Sequence, residues 1–369
     1  MAATDRRSLL AAALALPGVL PAAALAQSIP DEGIVALKYL DYRDWQPGAN
    51  RMTVKSPSFY VMTPFAGSWT VEGAVVYDAM SGASPLWFNT LSGASGLGVT
   101  DYRTSGDVKV TKYFDRWSIG VGGVYSYERD YISRAGALEV RWWTADRNTT
   151  LSFGFGGAAD AISPSDREID NGKRDTLDFL FGVTQALSPT AIIQSNLTYS
   201  RGHGYYSDPY KTLDHRPDER RIFTWLTRYN QYIPAYDAAL KLSYRFINDS
   251  FGGQSSAFDV TWTQPLPQGF VVSPVVRYYT QSAANFYYNP PFPQGFRIGQ
   301  DYTADTRLSS FGAVTVGVKL AKVFADGWVA DLRFDFYRAR SSWALFSSGS
   351  PGIDPFSARW IEAGISKTF

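Results

Sequence analysis

The stretch GWVADLRFDFYRAR sorts its residues by parity. Trp328, Ala330, Leu332, Phe334 and Phe336 fall on one side, and Asp331, Arg333, Asp335 and Tyr337 on the other. Successive side chains of an extended chain point to opposite faces, so this segment is a strand with one apolar and one polar face. NTTLSFGFGG repeats the pattern, with Leu151, Phe153 and Phe155 against Ser152, Gly154 and Gly156. AALKLSYRF sets Leu240, Leu242, Tyr244 and Phe246 against Lys241, Ser243 and Arg245. A period of two leaves a soluble sandwich with its apolar faces inward, or a membrane barrel with its apolar face outward.

The links between segments separate these two. Strands are expected over 34–44, 52–64, 68–80, 103–114, 117–129, 133–144, 148–161 and 173–187. The second half continues with 190–203, 219–231, 235–249, 255–265, 269–283, 307–322, 328–340 and 357–369. Each is near or above the roughly 9–11 residues that cross a bilayer at a tilt. Links after even-numbered strands are all tight: AGS, DRW, ADRN, SPT, IPA, PLPQG and ADG. Those after odd-numbered strands are mostly longer, although 130–132 is short. Short turns at one end and long loops at the other, with an even strand count, is the outer-membrane pattern; a Greek-key sandwich has no reason to segregate its loops. The expected fold class is all-β: a transmembrane antiparallel up-and-down β-barrel of about 16 strands, with short periplasmic turns and longer extracellular loops. Phe, Tyr and Trp make up 15% of the chain. Trp69, Trp117 and Trp328 follow short turns, and Tyr77, Tyr125, Tyr244 and Tyr278 sit near the opposite strand ends, as two interfacial girdles require.

Residues 1–26 read as a secretory signal peptide. Arg6 and Arg7 make a short basic start, an apolar run covers 9–20, and Ala24-Leu25-Ala26 offers a small-x-small cleavage site. Pro17, Gly18 and Pro21 argue against a buried helix there. The twin arginine hints at folded-state export, but general secretion is preferred. The expected mature chain starts at Gln27, and 27–369 form a single barrel domain. Once Arg6, Arg7 and Asp5 are set aside, the 35 basic and 34 acidic residues balance, which argues against nucleic acid as a partner. There is no cysteine, so disulfides and thiolate metal sites are excluded. Beyond the leader no apolar run approaches the roughly 18 residues of a spanning helix.

The closing stretch IEAGISKTF also alternates, with Ile361, Ala363, Ile365 and Phe369 on one face. Outer-membrane barrels commonly finish their last strand on an aromatic residue that the assembly machinery recognises, and this stretch resembles that signal. Lys367 departs from it, since a hydrophobic residue is usual there. Close to the periplasmic rim its ammonium can snorkel to the headgroups. The last strand is expected to pair with the first, which removes the sheet edges.

A barrel of this size leaves an aqueous channel. Parity assigns to the lumen the acids Glu72, Asp78, Glu139, Asp178, Asp259, Asp331, Asp335 and Glu362. It assigns there the bases Lys38, Lys109, Arg141, Arg201, Arg228, Lys241, Arg245, Arg277, Lys319 and Arg333. An Arg or Lys facing hydrocarbon costs roughly 2–4 kcal/mol at the midplane, so these groups need water or partners inside. Two arrangements stay open. Opposed acidic and basic ladders would set a transverse field across a pore; salt bridges among the same residues would fill and brace a narrowed lumen. The mixed signs argue against strong ion selectivity.

The densest loop text is RGHGYYSDPYKTLDHRPDERR, with His203, Tyr205, Asp208, Tyr210, Lys211, Asp214, His215, Arg216 and Asp218. Histidines with carboxylates suit a divalent cation, but the spacing follows no ligand pattern. Bracing by Asp–Arg pairs and tyrosine packing is the plainer reading. YDAMSGASP and YERDYIS put Asp78, Ser81, Ser84, Glu128 and Asp130 at the outer rim, suited to calcium or to turn backbone groups. No cofactor is expected beyond such a loop-bound cation. The long links 81–102 and 284–306 are candidates to fold inward as constrictions. An enzyme is poorly supported: there are two histidines, no GxSxG context, and GASGLG at 93–98 lacks a following helix.

Taken jointly, YDAMSGASP, YERDYIS, GYYSDPYKTLDHRPDERR, RYYTQSAANFY and DTRLSSF resemble one bacterial family, domain of unknown function 3570. The likeness runs from near residue 70 to the C-terminus. It implies an exported, outer-membrane-type barrel and brings no assigned activity, only a hint of a role in envelope redox or metal handling. The expected function is a porin-like channel or binding barrel for a small polar solute. The alternative is a structural or interaction barrel with a closed lumen, whose outer loops bind a partner or anchor lipopolysaccharide. Expected partners are outer-membrane lipid and lipopolysaccharide, and the barrel-assembly machinery at the last strand.

Overall fold

The computed structural model describes residues 28–82, 99–163, 172–208, 211, 213–289 and 293–369. Its first eight strands are β1 Ile34–Gln46, β2 Ala49–Phe65, β3 Trp69–Gly82, β4 Val99–Tyr113, β5 Trp117–Glu128, β6 Tyr131–Trp143, β7 Thr149–Ile162 and β8 Gly172–Ser188. The other eight are β9 Ala191–Gly204, β10 Glu219–Ile233, β11 Ala238–Asp249, β12 Gln254–Pro265, β13 Phe270–Gln281, β14 Phe311–Val323, β15 Trp328–Arg340 and β16 Phe356–Thr368. Each strand pairs antiparallel with its sequence neighbours, and β1 closes on β16 from Ile34↔Thr368 to Trp45↔Ser357. Backbone bonds between Gly33 and Phe369, at 2.8 and 3.0 Å, extend that seam. Every strand therefore has two partners, and the sheet has no edge left to aggregate.

The turn asymmetry is as expected. Links after β2, β4, β6, β8, β10, β12 and β14 run from two to five residues. At the other end, 205–218, 282–310 and 341–355 are long. Three links there are short: 47–48, 129–130 and 250–253. β1 and β2 run further than the alternation alone implies, meeting in a hairpin over Pro47-Gly48 with a register shift between Arg43 and Trp45. Three of the tight turns place a residue with positive φ just before a glycine, Ala66-Gly67, Gln268-Gly269 and Asp326-Gly327. The glycine is required at 269, where a Cβ would come within 2.6 Å of the Val323 carbonyl oxygen.

Accessibility decides which face is outside. Leu332 is 51% and Phe334 42% exposed, whereas the alternating Asp331 and Asp335 are 8% and 0% exposed. The same holds around the barrel, where Leu37, Val75, Val121, Phe155, Phe179 and Val316 all face outward. Aromatic residues pair across strands on this exterior, Phe153 with Phe181 at 5.4 Å and Phe155 with Phe179 at 5.3 Å. A continuous apolar exterior of this extent is untenable in water; hydrocarbon is its natural solvent. Among the described residues no helix is long and apolar enough to cross a membrane, which says nothing of crossing by strands.

Candidate functional site

Parity carries one row of each strand into the lumen, and the two halves of the lumen differ. From β5 to β8 the inward row includes Gly120, Gly122, Ala137, Gly154, Gly156 and Gly182, of which Gly122, Ala137 and Gly156 are in register with one another. From β10 through β16 to β1 it carries Arg228, Arg245, Arg277, Tyr279, Tyr337, Trp360 and Tyr42. Glu139, Arg141, Asp178 and Leu180 share the β5–β8 row, so glycines alternate there with larger side chains, whereas arginines and aromatics predominate on the other sector. Against that second sector lies a chamber of about 500 Å³ lined by Tyr42, Arg245, Asp259, Arg277, Tyr279, Tyr337 and Trp360 among others. Tyr42 and Trp360 stack at 6.4 Å on its side.

Many lumen charges pair. Lys109 reaches Glu139 at 2.8 Å and Glu72 at 3.4 Å, and Arg141 binds Glu139 at 2.6 Å. On the far side Lys38 binds Glu362 at 2.5 Å, Lys38 and Lys319 flank Asp331 at 3.6 and 3.5 Å, and Arg333 holds Asp335 at 2.5 Å. Arg277 pairs with Asp259. Gly317 and Gly364 allow this crowding, because a Cβ at either would meet the Asp335 or Asp331 carboxylate within 2.7 Å. Bracing therefore accounts for Glu72, Arg141, Arg277, Asp331, Arg333 and Asp335.

Arg228, Lys241 and Arg245 are different: among the described residues they have no carboxylate within ion-pair distance. They stand together on β10 and β11, in the register Arg228↔Ser243 and Leu226↔Arg245. Asp107 and Asp178, on β4 and β8, are the corresponding carboxylates without a cationic partner among the described residues. The surplus positive charge of the lumen wall is thus gathered on β10–β11 and the surplus negative charge on β4 and β8. Bracing and transverse field coexist, in different sectors.

At the extracellular mouth, inward arginines bind aspartates on the adjacent strand. Arg103 pairs with Asp78, Arg174 with Asp160 at 2.7 Å, and Arg220 with Asp249. Arg174 also lies 5.2 Å over the Tyr206 ring and Arg220 4.7 Å over Phe251. Parity alone had singled out only Asp78 of these; the alternation of Arg174 and Arg220 with outward neighbours was the available signal. Arg201 corrects the lumen assignment. It lies on the outward face with Leu197 and Tyr199 and binds Glu219 at 2.8 Å, a position open to a charge because the rim sits at headgroup level.

The loops above β9 to β16 interlock. Phe251, Ala284, Phe286, Tyr287 and Ile353 form one buried cluster drawn from three loops. Beside it Asp305, 2% exposed, takes Arg307 and, at 3.0 Å, Arg216; Arg216 binds Asp214 at 2.8 Å, and Arg307 reaches Asp208 at 2.8 Å. Burial alone would raise the Asp305 carboxyl, but Arg307, Lys211 and Arg216 hold it well below the usual carboxylate range. His215 pairs with Asp301 at 3.0 Å and exchanges backbone bonds with Tyr302. The described residues of 284–306 are thereby anchored to their neighbouring outer loops.

The other loop residues scatter. His203 faces outward on β9, opposite Asp175 and Glu219. Tyr205 and Asp218 join the backbone network around Gly204, and the Lys211 amide donates to the Asp208 carbonyl. Glu128 lies opposite Arg103, and the Asp130 carbonyl accepts from Ser163. The Ser81 side chain, Ser84 and Tyr210 lie outside the described residues, as does most of 81–102. Among the described residues no three His, Asp or Glu side chains gather as a metal site.

A closed antiparallel barrel with a lipophilic exterior and a charged interior defines a β-barrel of the outer-membrane class. The chain belongs to the family described as "Protein of unknown function (DUF3570)", whose model matches residues 6–171 and 166–360. Among solved structures it is similar to CdiB from Acinetobacter baumannii, with a TM-score of 0.52 and 11% identity over 89% of this chain. It spans 60% of that chain. OccAB4 from Acinetobacter baumannii follows at 0.45 and 10%, covering 94% of this chain and 100% of that one. The siderophore receptor PirA from Pseudomonas aeruginosa gives 0.46 and 8%, covering 92% and 80%. At these identities the likeness establishes the fold alone. No curated protein matches the chain.

Proposed function

We propose that this barrel is a porin-like channel or binding barrel of the outer membrane for a small polar solute. The observation that carries the reading is the chamber of about 500 Å³ lined by arginines, tyrosines and Trp360 from β1 and β11–β16. Elsewhere around the lumen Gly122, Ala137 and Gly156 stand in one row on β5–β7 and add little bulk at that level. Arg228, Lys241 and Arg245 against Asp107 and Asp178 orient a dipolar solute across the passage. A leader at 1–26 would deliver the chain for insertion, with Ile361, Ala363, Ile365 and Phe369 serving the assembly machinery. Planar-bilayer recording of the folded, purified protein tests the channel. Discrete current steps are expected; absence of current from protein shown to be inserted removes the pore.

The interlocked outer loops favour a second reading, a closed scaffold that presents 205–218 and 282–310 to a partner or a divalent cation. Solute binding measured alongside conductance separates the two, because a scaffold gives neither.

A further inference from the structure

The exterior wall is apolar except near its rims, and the two rims treat cations differently. At the end with tight turns, outward lysines lie over aromatic rings. Lys112 is 4.5 Å from the centre of Trp69, Lys322 4.4 Å from Phe270 and Lys367 5.7 Å from Trp328. At the loop end of β15, β16, β1 and β2 the arrangement changes. Arg43 and Arg359 stand directly opposite one another in the β1–β16 ladder, both exposed on the outward face. Arg338 on β15 and Lys55 on β2 share that face within two ladder positions.

Like charges directly opposite in a ladder destabilise it. Asp41 offsets one of them, binding Arg43 at 3.1 Å. Lys55, Arg338 and Arg359 have no acidic partner among the described residues. Elsewhere on the exterior the same problem is solved within the chain: Arg201 and Arg221 share Glu219 at 2.8 and 2.9 Å. Beside Arg43 and Arg359 a hollow of about 480 Å³ is lined by Trp45, Asn50 and Thr53, with Asp44 and Met52. Asp44 is occupied, accepting from Tyr42 Oη at 2.9 Å and from the Met52 amide at 2.7 Å. On the hairpin side Trp45 packs on Phe336, level with Arg359, at 6.0 Å, and one layer below Phe334 and Ile361 continue the lipid-wetted wall.

We propose that this patch is a binding site for the phosphorylated headgroup of an outer-leaflet lipid. Two properties select the occupant. It must bring concentrated negative charge, and phosphate matches guanidinium geometry bidentately. It must also be amphiphilic, because the next layer of the wall is apolar and stands in the bilayer. An acidic protein would have to displace lipid to reach Arg43 and Arg359; an anionic lipid arrives with its acyl chains already against Phe336 and Phe334. The site lies on the strands themselves, away from the lumen and from the long loops, so it stands whether or not the barrel conducts.

The test uses folded, purified protein in a neutral detergent and three probes: bisphosphorylated lipid A, the same lipid without phosphates, and inorganic phosphate. Retention is read by native mass spectrometry, and folding by resistance of the barrel to unfolding on unheated gels. Wild-type protein is expected to hold the bisphosphorylated lipid at least tenfold more tightly than the dephosphorylated one. R43Q/R359Q should erase that preference, and R201Q/R221Q should keep it. If the double variant does not fold, R359Q alone should reduce the preference severalfold. Equal retention of both lipids, or a preference untouched by R43Q/R359Q or by R359Q alone, overturns the site. Competition by inorganic phosphate as strong as by the phospholipid identifies a free-anion site and overturns the lipid assignment.

Discussion

Asp335 is wholly buried, and both its carboxylate oxygens are taken by Arg333, at 2.5 and 2.9 Å, two residues back on the same strand. Phe334 between them points into lipid at 42% exposure. Ion pair and hydrocarbon contact are separated by the thickness of one backbone.

Breaking that pair by Asp335→Ala leaves Arg333 without its principal partner. Arg333 is 35% exposed, so lumen water softens the loss, and a cost of about 1–3 kcal/mol is expected. Replacing both residues with apolar ones of similar size should cost less than the single change. Urea unfolding of protein inserted in vesicles measures both.

On the opposite face, Leu332→Arg places a guanidinium at mid-wall. A loss of about 2–4 kcal/mol is expected in a bilayer. The same change on a wall facing water would be within about 0.5 kcal/mol. Unfolding in vesicles distinguishes the two, and a neutral result would sink the membrane assignment.

The lumen field makes an electrical prediction for the proposed channel. R228Q/R245Q removes two guanidiniums that have no carboxylate partner and should move the reversal potential in a salt gradient toward cations. D107N/D178N should move it the other way. Neutralising Glu139, already held by Lys109 and Arg141, should shift it toward anions by less than the double change does.

The loop node sets a pH expectation. The Asp305 pKa is depressed in the fold, so its contribution is complete above the ordinary aspartate value of about 3.9 and fades as pH falls through the lower folded value. Pepsin should therefore spare 282–310 of the wild type at pH near 4 and cut it only at much lower pH. In D305N, cleavage near pH 4 is expected. Equal cutting of both at pH near 4 would contradict the lock.

How much of this was legible follows from what alternation encodes. Parity tells which face a residue occupies, so the strands, the tight turns and the inward position of Lys241, Arg245 and Asp331 could be read directly. It is silent on partners across the closure: Lys38 meets Asp331 and Glu362 only because β1 seals against β16. The Arg216–Asp305 pair joins residues 89 apart in the chain, and no local pattern announces it. Parity also loses meaning at the rim. Arg201 faces outward there at little cost, and the polar stretch DWQPGAN, which looks like a loop, is the tip of a hairpin. Strand β11 starts at Ala238 rather than 235, because Pro234–Tyr236 make a single 3-10 turn ending on left-handed Asp237.

Gly156 gives the lumen of this barrel one position of adjustable calibre. Hydrogen bonding runs around the circumference and hydrophobic energy is earned outside, so a lumen position with open space beside it can change size with little effect on either. Gly120, Gly154 and Gly182 lack that space, since a Cβ there would come within 2.9, 3.1 and 2.5 Å of Lys109, Leu180 and Asn196. At Gly156 an added methyl would meet no atom nearer than 3.5 Å. A larger side chain at Gly156 can therefore narrow the lumen at that level while the ladder around it stays as it is.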